Sequence, residues 1–389
     1  MTTAELGAKL APLVDAALGL EAEELDRYSR HILLPEIGQA GQRRLKNARV
    51  LVVGAGGLGS PVLLYLAAAG IGTLGIIDDD RVEASNLQRQ IIHGVADISR
   101  LKVDSARDAL NAVNPLIRVV CHPERLSTGN AIELFEQYDL VVDGADNFAT
   151  RYLVSDAAAL TGKPCVWGSI LGFSAQVSVF WNTHGPTYRD LYPDPPPPES
   201  APSCGEAGVL GMLCGVAGSM MAAEVVKLVT GSGRPLLGRL SIFDLGQVRW
   251  QELQLGTDPA RPPVTRLASD PEVCTVADPV TGRFDLVPVT ELNALLDDRR
   301  SGRVEFELVD VREEDESARL QIPGSRSAPL SRLRRQGTLN GMPFETPVIV
   351  YCEAGPRSRS AATILRDAGY SGVRILDGGI DRWMEGRNR

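Results

Sequence analysis

The sequence predicts an α/β protein with a doubly wound, mostly parallel sheet, an antiparallel extension of that sheet, and a smaller α/β domain behind it. Short apolar runs rich in valine and isoleucine alternate with amphipathic segments through the first 150 residues, as in consecutive βαβ units. A glycine-rich loop follows the first apolar run. After a proline- and charge-rich stretch at residues 257–283, a second alternation of strands and helices begins.

The first βαβ unit spans residues 49–80 and has the layout of a Rossmann-like nucleotide site. Residues 50–53 predict a buried strand, which ends in a loop with four glycines, Gly54, Gly56, Gly57 and Gly59. We expect a helix to follow, with Ser60 as its N-cap and Pro61 as its first residue. Bare backbone N–H groups at a helix N-terminus bind a phosphate chain. An ordinary glycine-rich turn in an α/β core is the alternative.

Polar side chains are predicted at several strand ends of this sheet. They are Asp78, Asp80, Asp146 and Asn147. Ligands of doubly wound sheets bind at the carboxyl ends of the strands, and a ribose needs only one acid there. Together with Arg89 and Lys102, these side chains favour a triphosphate with a divalent metal over a redox dinucleotide.

The rest of the chain is predicted from weaker signals. Residues 1–20 indicate a short N-terminal helical arm, and residues 21–256 the first domain. Further helices are expected at 102–111, 131–137 and 208–228, parallel strands at 116–121 and 139–143, and antiparallel pairs within 166–181 and 239–255. A proline-rich loop at 188–203 ends at Cys204. Residues 257–283 form a linker and residues 284–389 the second domain.

Composition limits the class of partner and the compartment. The formal net charge of −9 argues against a nucleic-acid surface. None of the six cysteines forms a C-x-x-C pair, so we expect free thiols in a reducing cytoplasm. No signal peptide or membrane association is predicted, because the long uncharged stretch at 50–77 holds seven glycines and a proline.

The second domain carries a cysteine in a loop suited to chemistry. Residues 347–351 predict a buried strand and 358–368 a helix, and between them lie Cys352, Glu353, Ala354, Gly355, Pro356, Arg357 and Ser358. Backbone N–H groups and nearby arginines stabilise a thiolate or persulfide, although an acid beside the thiol opposes this. A purely structural cysteine is the alternative.

The two halves resemble two known families. The glycine loop, the D-D-D-R-V-E-A-S-N-L-Q-R stretch at 78–89, Lys102 and the pair Asp146–Asn147 resemble adenylating enzymes of the MoeB/ThiF type, relatives of ubiquitin-activating enzymes. Residues 284–389 resemble a rhodanese domain through D-V-R at 310–312, I-P-G at 322–324 and L-D-G-G-I-D-R-W at 376–383. The fusion is similar to MoeZ-like adenylyltransferase/sulfurtransferase proteins.

The resemblance implies ATP and Mg²⁺ as cofactors of the first domain. Asp146 would hold the Mg²⁺, and Arg30 would reach the nucleotide of a neighbouring subunit, which requires a homodimer. The substrate would be a ubiquitin-like sulfur carrier protein that ends in Gly-Gly. The ATP-binding residues would be Gly54, Gly56, Gly57, Gly59, Asp78, Ser85, Asn86, Leu87, Gln88, Arg89, Lys102, Asp146 and Asn147.

The resemblance also implies the sulfur chemistry. Cys352 would carry a persulfide taken from a sulfur donor, either thiosulfate or the persulfide of a cysteine desulfurase. Cys204 would help release the thiocarboxylate, and a merely packed Cys204 is the alternative. The loop Glu353, Ala354, Gly355, Pro356, Arg357 and Ser358 would hold the persulfide.

The sequence departs from the family pattern at a metal site. Relatives often bind a structural zinc through two C-x-x-C pairs, but Thr187 and Asp190 stand at the first pair and residues 259–265 contain no cysteine. We therefore expect no structural zinc. In the rhodanese part, Gln321 replaces a usual histidine, and Glu353 stands where a basic or neutral residue is common.

Two other functions remain open from the sequence. A nicotinamide oxidoreductase fused to a thiol domain would share the glycine loop, but gives no reason for S-N-L-Q-R at 85–89 or for Lys102. A sulfur-trafficking scaffold with one inert half is the other alternative.

Overall fold

The computed structural model describes residues 10–195, 208–267, 284–353 and 355–385. It divides the chain into two compact units, Met1–Glu272 and Val273–Arg389. The first unit is the larger of the two, and each is described by itself.

The first unit is built on one sheet of eight strands. Their spatial order is β3-β2-β1-β4-β5-β6-β7-β8, with parallel pairing from β3 to β5 and antiparallel pairing from there to β8. This confirms the predicted parallel sheet with its antiparallel extension. The strands are β1 (Arg49–Val53), β2 (Thr73–Ile77), β3 (Arg118–His122), β4 (Leu140–Asp143), β5 (Cys165–Leu171), β6 (Ser174–Phe180), β7 (Arg239–Asp244) and β8 (Arg249–Gln254).

Helices cover both faces of the parallel part, as apolar strands buried on two sides require. The first-unit helices are α1 (Ala22–Arg27), α2 (Ser29–Ile32), α3 (Gly38–Asn47), α4 (Gly59–Ala69), α5 (Lys102–Val113), α6 (Ala131–Glu136), α7 (Phe148–Thr161), α8 (Tyr188–Leu191) and α9 (Gly211–Thr230). Short 3₁₀ turns lie at Ala84–Asn86 and Val95–Asp97.

Two apolar helices pack together on one face of the sheet. α4 and α9 contact each other, and α9 also lies against β5 and β6. Among the described helices, α9 alone is long and apolar enough to span a membrane, and more than half of it is buried inside this unit. Its burial against α4 and the sheet is the ordinary position of a core helix.

Three local predictions were wrong. The described residues 10–20 form no helix, because Leu13 and Ala17 donate their N–H groups to the carbonyls of Leu228 and Arg43 instead of to their own chain segment. Residues 1–9 lie outside the described part. The segment at 188–203 starts with the one-turn helix α8, so it is not a loop throughout.

Ser60 is not the N-cap of α4. The helix starts at Gly59, two residues before the predicted start at Pro61, because the end of the glycine loop is already wound into a turn. The Ser60 N–H and Oγ–H both donate to the carbonyl of Gly56, at 2.9 and 2.7 Å. Pro61 consequently lies within the first turn, where its missing N–H costs no hydrogen bond.

The second unit is a five-stranded parallel sheet in the order β11-β10-β12-β13-β9. Its strands are β9 (Leu286–Val287), β10 (Glu307–Asp310), β11 (Arg326–Ser327), β12 (Val348–Tyr351) and β13 (Val373–Leu376). Its helices are α10 (Val289–Arg300), α11 (Glu314–Arg319), α12 (Leu330–Gln336), α13 (Pro356–Asp367) and α14 (Gly379–Glu385). The central strand β12 is fully buried, and residue 352 follows it directly.

Candidate active sites

The first unit holds a cavity of about 510 Å³ at the carboxyl ends of β1, β2 and β4. The predicted residues that line it are Gly54, Gly56, Gly57, Asp78, Asp80, Arg89, Lys102, Asp146 and Asn147. The lining also includes Asp79, Gln90, Glu124, Arg125, Leu126, Thr150, Arg151, Ile170 and Val209. Doubly wound sheets bind their ligands, nucleotides among them, at this edge.

The glycine loop is held by backbone contacts that need glycine. Gly54 has φ of +91°. A Cβ at Gly59 would overlap the carbonyl oxygen of Gly54, so α4 reaches the loop more closely than any side chain allows. On the other side, Asp78 Oδ2 accepts the N–H of Ala55 at 2.8 Å. The loop therefore lies between the helix N-terminus and the first acid of β2.

Replacing Gly59 with alanine is expected to weaken ATP binding by about tenfold or more, or ~1.4 kcal/mol. The new methyl group would push α4 away from the Gly54 carbonyl and open the phosphate loop. Calorimetric titration with a non-hydrolysable ATP analogue measures this. Gly215→Ala, in α9, is the matched control because its Cβ would meet nothing within 4 Å. Equal affinity in the two variants would contradict the role given to Gly59.

A buried histidine, His93, contacts the same glycine loop. His93 is within hydrogen-bonding distance of the Ala55 carbonyl through Nε2, at 3.0 Å, and of Ser105 Oγ through Nδ1, at 2.8 Å. Burial lowers the pKa of His93, so the neutral ring is favoured. His93 therefore connects the glycine loop to α5, the helix that begins with Lys102.

Lys102 is as well covered as Arg151, the other buried cation of the described cavity lining. It is 6% exposed, and its Nζ lies 2.7 Å from Asp80 Oδ2, while the Asp80 side chain is 66% exposed. Asp80 also donates its N–H to Asp78 Oδ1 at 2.9 Å, and burial raises the pKa of Asp78. The lysine thus has one solvent-exposed partner that a phosphate can replace.

The S-N-L-Q-R stretch is only partly at the cavity. Of its five residues, Arg89 lines the cavity, and its Nη1 donates to the Ser85 carbonyl at 3.2 Å. Asn86 is buried and donates to Ser85 Oγ, while Leu87 is half-buried and Gln88 exposed. These four residues and Gly59 lie outside the described cavity lining. Ser85 and Asn86 hydrogen-bond Arg89 through their carbonyls and so form the turn that carries it.

The structure describes Arg30 but not Cys204. Arg30 is exposed on α2 and is absent from the described lining of its own chain's cavity. Cys204 lies outside the described residues. Their predicted roles stay predictions.

The sequence reasoning missed Arg151, which lines the cavity from α7. It is buried, and its Nε donates to the Ala145 carbonyl at 3.2 Å. Nearby Asp143 ends β4 fully buried, and burial raises its pKa to about 6, while the charge of Arg151 acts in the opposite direction. The recognisable motif ends at Asn147, and no local sequence pattern marks Arg151, one helical turn further on.

The second candidate site is the loop after β12. Cys352 is 1% exposed, and its Sγ accepts the N–H of Gly355 at 3.1 Å. Its carbonyl accepts the N–H of Ile380 at 2.9 Å, and the carbonyl of Glu353 accepts that of Asp381. The N-terminus of α14 therefore holds the loop by its backbone. Ala354 lies outside the described residues.

Close packing against α14 explains the D-G-G sequence at 377–379. A Cβ at Gly379 would overlap the carbonyl oxygens of Cys352 and Glu353. Gly379 also has φ of +62°, a region that other residues rarely adopt. This glycine allows the helix N-terminus to reach the cysteine loop.

Arg357 is engaged by acids rather than free beside the thiol. It lies in the first turn of α13, which begins at Pro356, and its two Nη atoms donate to Glu316 at 2.6 and 2.9 Å. Glu353 lies 3.4 Å from the same guanidinium, so its charge is directed toward Arg357. Arg359 is exposed, and Ser358 is buried under the loop. The arginine expected to act on the thiol thus also anchors the loop.

Replacing Glu316 with glutamine is expected to slow sulfur transfer by about three- to fivefold, since partly exposed ion pairs contribute at most about 1 kcal/mol. Hydrogen bonding to Arg357 lowers the pKa of Glu316, so this pair holds at neutral pH and is lost as pH falls through that lowered pKa. Thiosulfate:cyanide sulfurtransferase activity measures the effect.

Glu314→Gln on the same helix is the matched control, because Glu314 pairs only with Arg332 on the surface among the described residues. A loss of equal size in both variants would show that the Arg357–Glu316 pair is not what orders the loop.

An ion pair stands where the family resemblance places a metal. Asp190 Oδ2 accepts the Thr187 N–H at 2.6 Å and lies 2.7 Å from Arg261 Nη2, and Asp190 Oδ1 accepts the N–H of Asp258. The Asp190 carboxylate is buried and fully hydrogen-bonded. These donors do not fit a tetrahedral thiolate zinc site.

The fold and the two sites define the class of protein: a nucleotide-using enzyme joined to a sulfur-transfer domain. The model of the ThiF family matches residues 28–263, and the model of the rhodanese-like domain matches residues 289–386. The chain belongs to the ThiF family and carries a C-terminal rhodanese-like domain. It is an adenylyltransferase and sulfurtransferase, as the motifs predicted.

Individual relatives agree with this assignment. The chain is 49% identical over 387 residues to the probable adenylyltransferase/sulfurtransferase MoeZ of Mycobacterium tuberculosis, which covers 98% of both chains. It is 51% identical over 245 residues to a sulfur carrier protein adenylyltransferase of Thermus thermophilus, over 62% of this chain and 90% of that one. The crystal structure of Escherichia coli MccB with MccA-N7isoASN superposes with a TM-score of 0.56 at 22% identity, over 61% of this chain and 74% of that chain, which shows the fold alone.

Proposed function

We propose that this enzyme adenylates the C-terminal Gly-Gly of a ubiquitin-like sulfur carrier protein and converts it to a thiocarboxylate with sulfur carried on Cys352. The observation that carries the proposal is that one chain has two sites. One is a cavity lined by Lys102 and Arg89, and the other is the Cys352 loop, which accepts backbone N–H groups from Gly355 and from the start of α14. A relative of 51% identity is named a sulfur carrier protein adenylyltransferase.

In the first step the carrier's C-terminal carboxylate attacks the α-phosphorus of ATP. A new bond forms between the carboxylate oxygen and phosphorus, the bond to the bridging oxygen breaks, and pyrophosphate leaves. The loop glycines contribute backbone N–H groups, while Lys102 and Arg89 balance the growing charge on the phosphates. Asp78 would bind the ribose.

The cavity also offers oxygen ligands for Mg²⁺, which neutralises phosphate charge when it is bound. Asp146 is exposed at the cavity wall and has the carboxylate oxygens that this ion prefers. The carboxylates of Asp78, Asp79 and Asp80 also converge, but Asp78 and Asp80 are engaged by Ala55 and Lys102. We therefore assign Mg²⁺ to Asp146.

In the second step the terminal sulfur of a Cys352 persulfide attacks the carbonyl of the acyl-adenylate. AMP leaves, and the carrier is joined to Cys352 through an acyl disulfide. A thiolate, which we assign to Cys204, attacks the Cys352 sulfur, releases the carrier thiocarboxylate and leaves a disulfide. An external thiol then reduces that disulfide, and thiosulfate or a desulfurase persulfide reloads Cys352.

Each domain carries one of the two steps in this proposal. Residues 21–256 carry adenylation, 284–389 carry sulfur, and the linker at 257–283 must let both act on one carrier. Arg30 would complete the nucleotide site of a second copy, so the working form is a homodimer. The reaction needs reduced thiols and therefore the cytoplasm, with neither a nucleic acid nor a membrane as partner.

Carrier-dependent ATP–pyrophosphate exchange tests the first step. With ATP, Mg²⁺ and a purified Gly-Gly carrier, labelled pyrophosphate is expected to enter ATP, and removal of the two terminal glycines should stop this exchange. Reduction of a nicotinamide cofactor in place of exchange would assign the cavity to an oxidoreductase. Sulfurtransferase activity with no exchange for any carrier would leave only a trafficking scaffold.

A further inference from the structure

Arg151 differs from Arg312, the other buried arginine of the described residues, and from the half-buried Arg189 and Arg261. Arg189, Arg261 and Arg312 each hold a carboxylate oxygen at 2.7 Å. Arg151 is 6% exposed, about as covered as Arg312, yet within the described ranges no carboxylate lies within ion-pair distance of it. The charge of buried Asp143 acts on Arg151 only from beyond that distance. Because no carboxylate of the described residues hydrogen-bonds the buried guanidinium, its surroundings are suited to an incoming anion.

The neighbours of Arg151 fix the guanidinium in place. Its Nε donates to the Ala145 carbonyl, and its Cζ lies 5.4 Å from the ring centroid of Phe148 and 5.9 Å from that of Trp167. Aromatic faces attract a cation but do not neutralise its charge. The side chain lines the cavity, so it is accessible to a ligand there.

The position of Arg151 along the sheet indicates which anion it receives. The strand order places β2, β1, β4 and β5 side by side. Asp78 and Lys102 lie on the β2 side of the cavity, and the glycine loop follows β1. In the proposed function these residues bind the ribose and the phosphates. Arg151 follows β4 and shares the cavity wall with Ile170 of β5. That side of the cavity is left for the group that attacks the phosphate.

We propose that Arg151 binds the C-terminal carboxylate of the acyl substrate, at a subsite next to the nucleotide phosphates. The proposal rests on the proposed function and adds the residue that recognises the substrate's charged end. A charge-assisted hydrogen bond from a buried guanidinium distinguishes a carboxylate from a neutral carboxamide of the same shape. It also orients the carboxylate oxygen toward phosphorus.

The test compares two forms of one carrier protein, with a free C-terminal carboxylate and with a C-terminal carboxamide. Their binding to the full-length enzyme is measured with a non-hydrolysable ATP analogue present. Wild type is expected to prefer the carboxylate by about tenfold to a hundredfold, the usual range for hydrogen bonds to charged groups. Arg151→Met should bind both forms with equal, weak affinity, and Arg151→Lys should restore part of the preference.

Two further variants keep the test decisive. Arg118→Met should retain the wild-type preference for the carboxylate form. Arg118 is exposed and is the first residue of β3, so it lies at the end of the sheet opposite the cavity. If Arg151→Met is unstable because Asp143 loses its nearby cation, the double variant Arg151→Met/Asp143→Asn removes the buried charge as well. Melting temperatures identify the variant to use.

The outcomes separate this inference from the function it rests on. Full carboxylate preference in Arg151→Met, with wild type active in exchange, would overturn the role of Arg151 alone. An equal loss of affinity for the ATP analogue and the carrier would assign Arg151 to a phosphate and also overturn it. Absence of exchange in wild type with every carrier would instead refute the proposed function.

Discussion

Replacing Cys352 with serine is expected to abolish thiocarboxylate formation, by about 10³-fold or more, while ATP–pyrophosphate exchange continues at the wild-type rate. Serine keeps the volume of the side chain and accepts the Gly355 N–H, so the loop stays in place. A hydroxyl cannot carry a transferable sulfur atom. The measurement is the yield of carrier thiocarboxylate beside the exchange rate, in one preparation.

Cys121→Ser is the matched control for this prediction. Cys121 is also a free thiol, but it is half-buried, lies on β3 of the first unit, and its Sγ contacts the Val103 carbonyl. Both activities should be retained in it. Thiocarboxylate made at full rate by Cys352→Ser from a persulfide donor would remove Cys352 from the relay.

Replacing Lys102 with methionine is expected to lower the rate of adenylation by about 10²–10³-fold, the usual loss when one preorganised charge donor is removed. The methionine fills the space of the lysine stem, so the fold should tolerate it. Asp80 would then lack a cation among the described residues and repel the phosphates. Exchange kinetics at saturating carrier measure the change.

Lys163→Met is the control, because Lys163 lies in the turn before β5, outside the described cavity lining. Sulfurtransferase activity toward cyanide should be unaffected in both lysine variants, since it belongs to the second unit. A Lys102→Met enzyme with a normal exchange rate would show that the cation at this position does not act on the phosphates.

The sheet and most of its helices could be predicted because their signals are local. Valine- and isoleucine-rich runs gave β1 and β2, and Lys102 was correctly placed at the start of α5. The largest of the errors, at residues 10–20, has a physical cause outside the segment. Residues 10–20 have an amphipathic pattern, but their backbone groups bond to α9 and α3, which no local pattern reveals.

Site residues that belong to one sequence motif could be predicted, whereas those brought to the site by packing could not. The glycine loop, Arg89 and Lys102 follow from spacing, and all contribute to the cavity. Arg151 lines the cavity from α7 while its guanidinium lies beside Trp167 of β5, a contact that no local pattern reveals. The Arg357–Glu316 pair likewise joins residues 41 positions apart, so the sequence suggested a free arginine beside the thiol.

The most direct test of the whole account is the mass of the carrier's C-terminus after incubation with enzyme, ATP and thiosulfate. We expect one oxygen of the carrier to be replaced by sulfur, with one AMP released for each thiocarboxylate formed and none formed without ATP. Thiocarboxylate formed without ATP, or AMP released with an unchanged carrier mass while Cys352 is loaded with sulfur, would contradict the account.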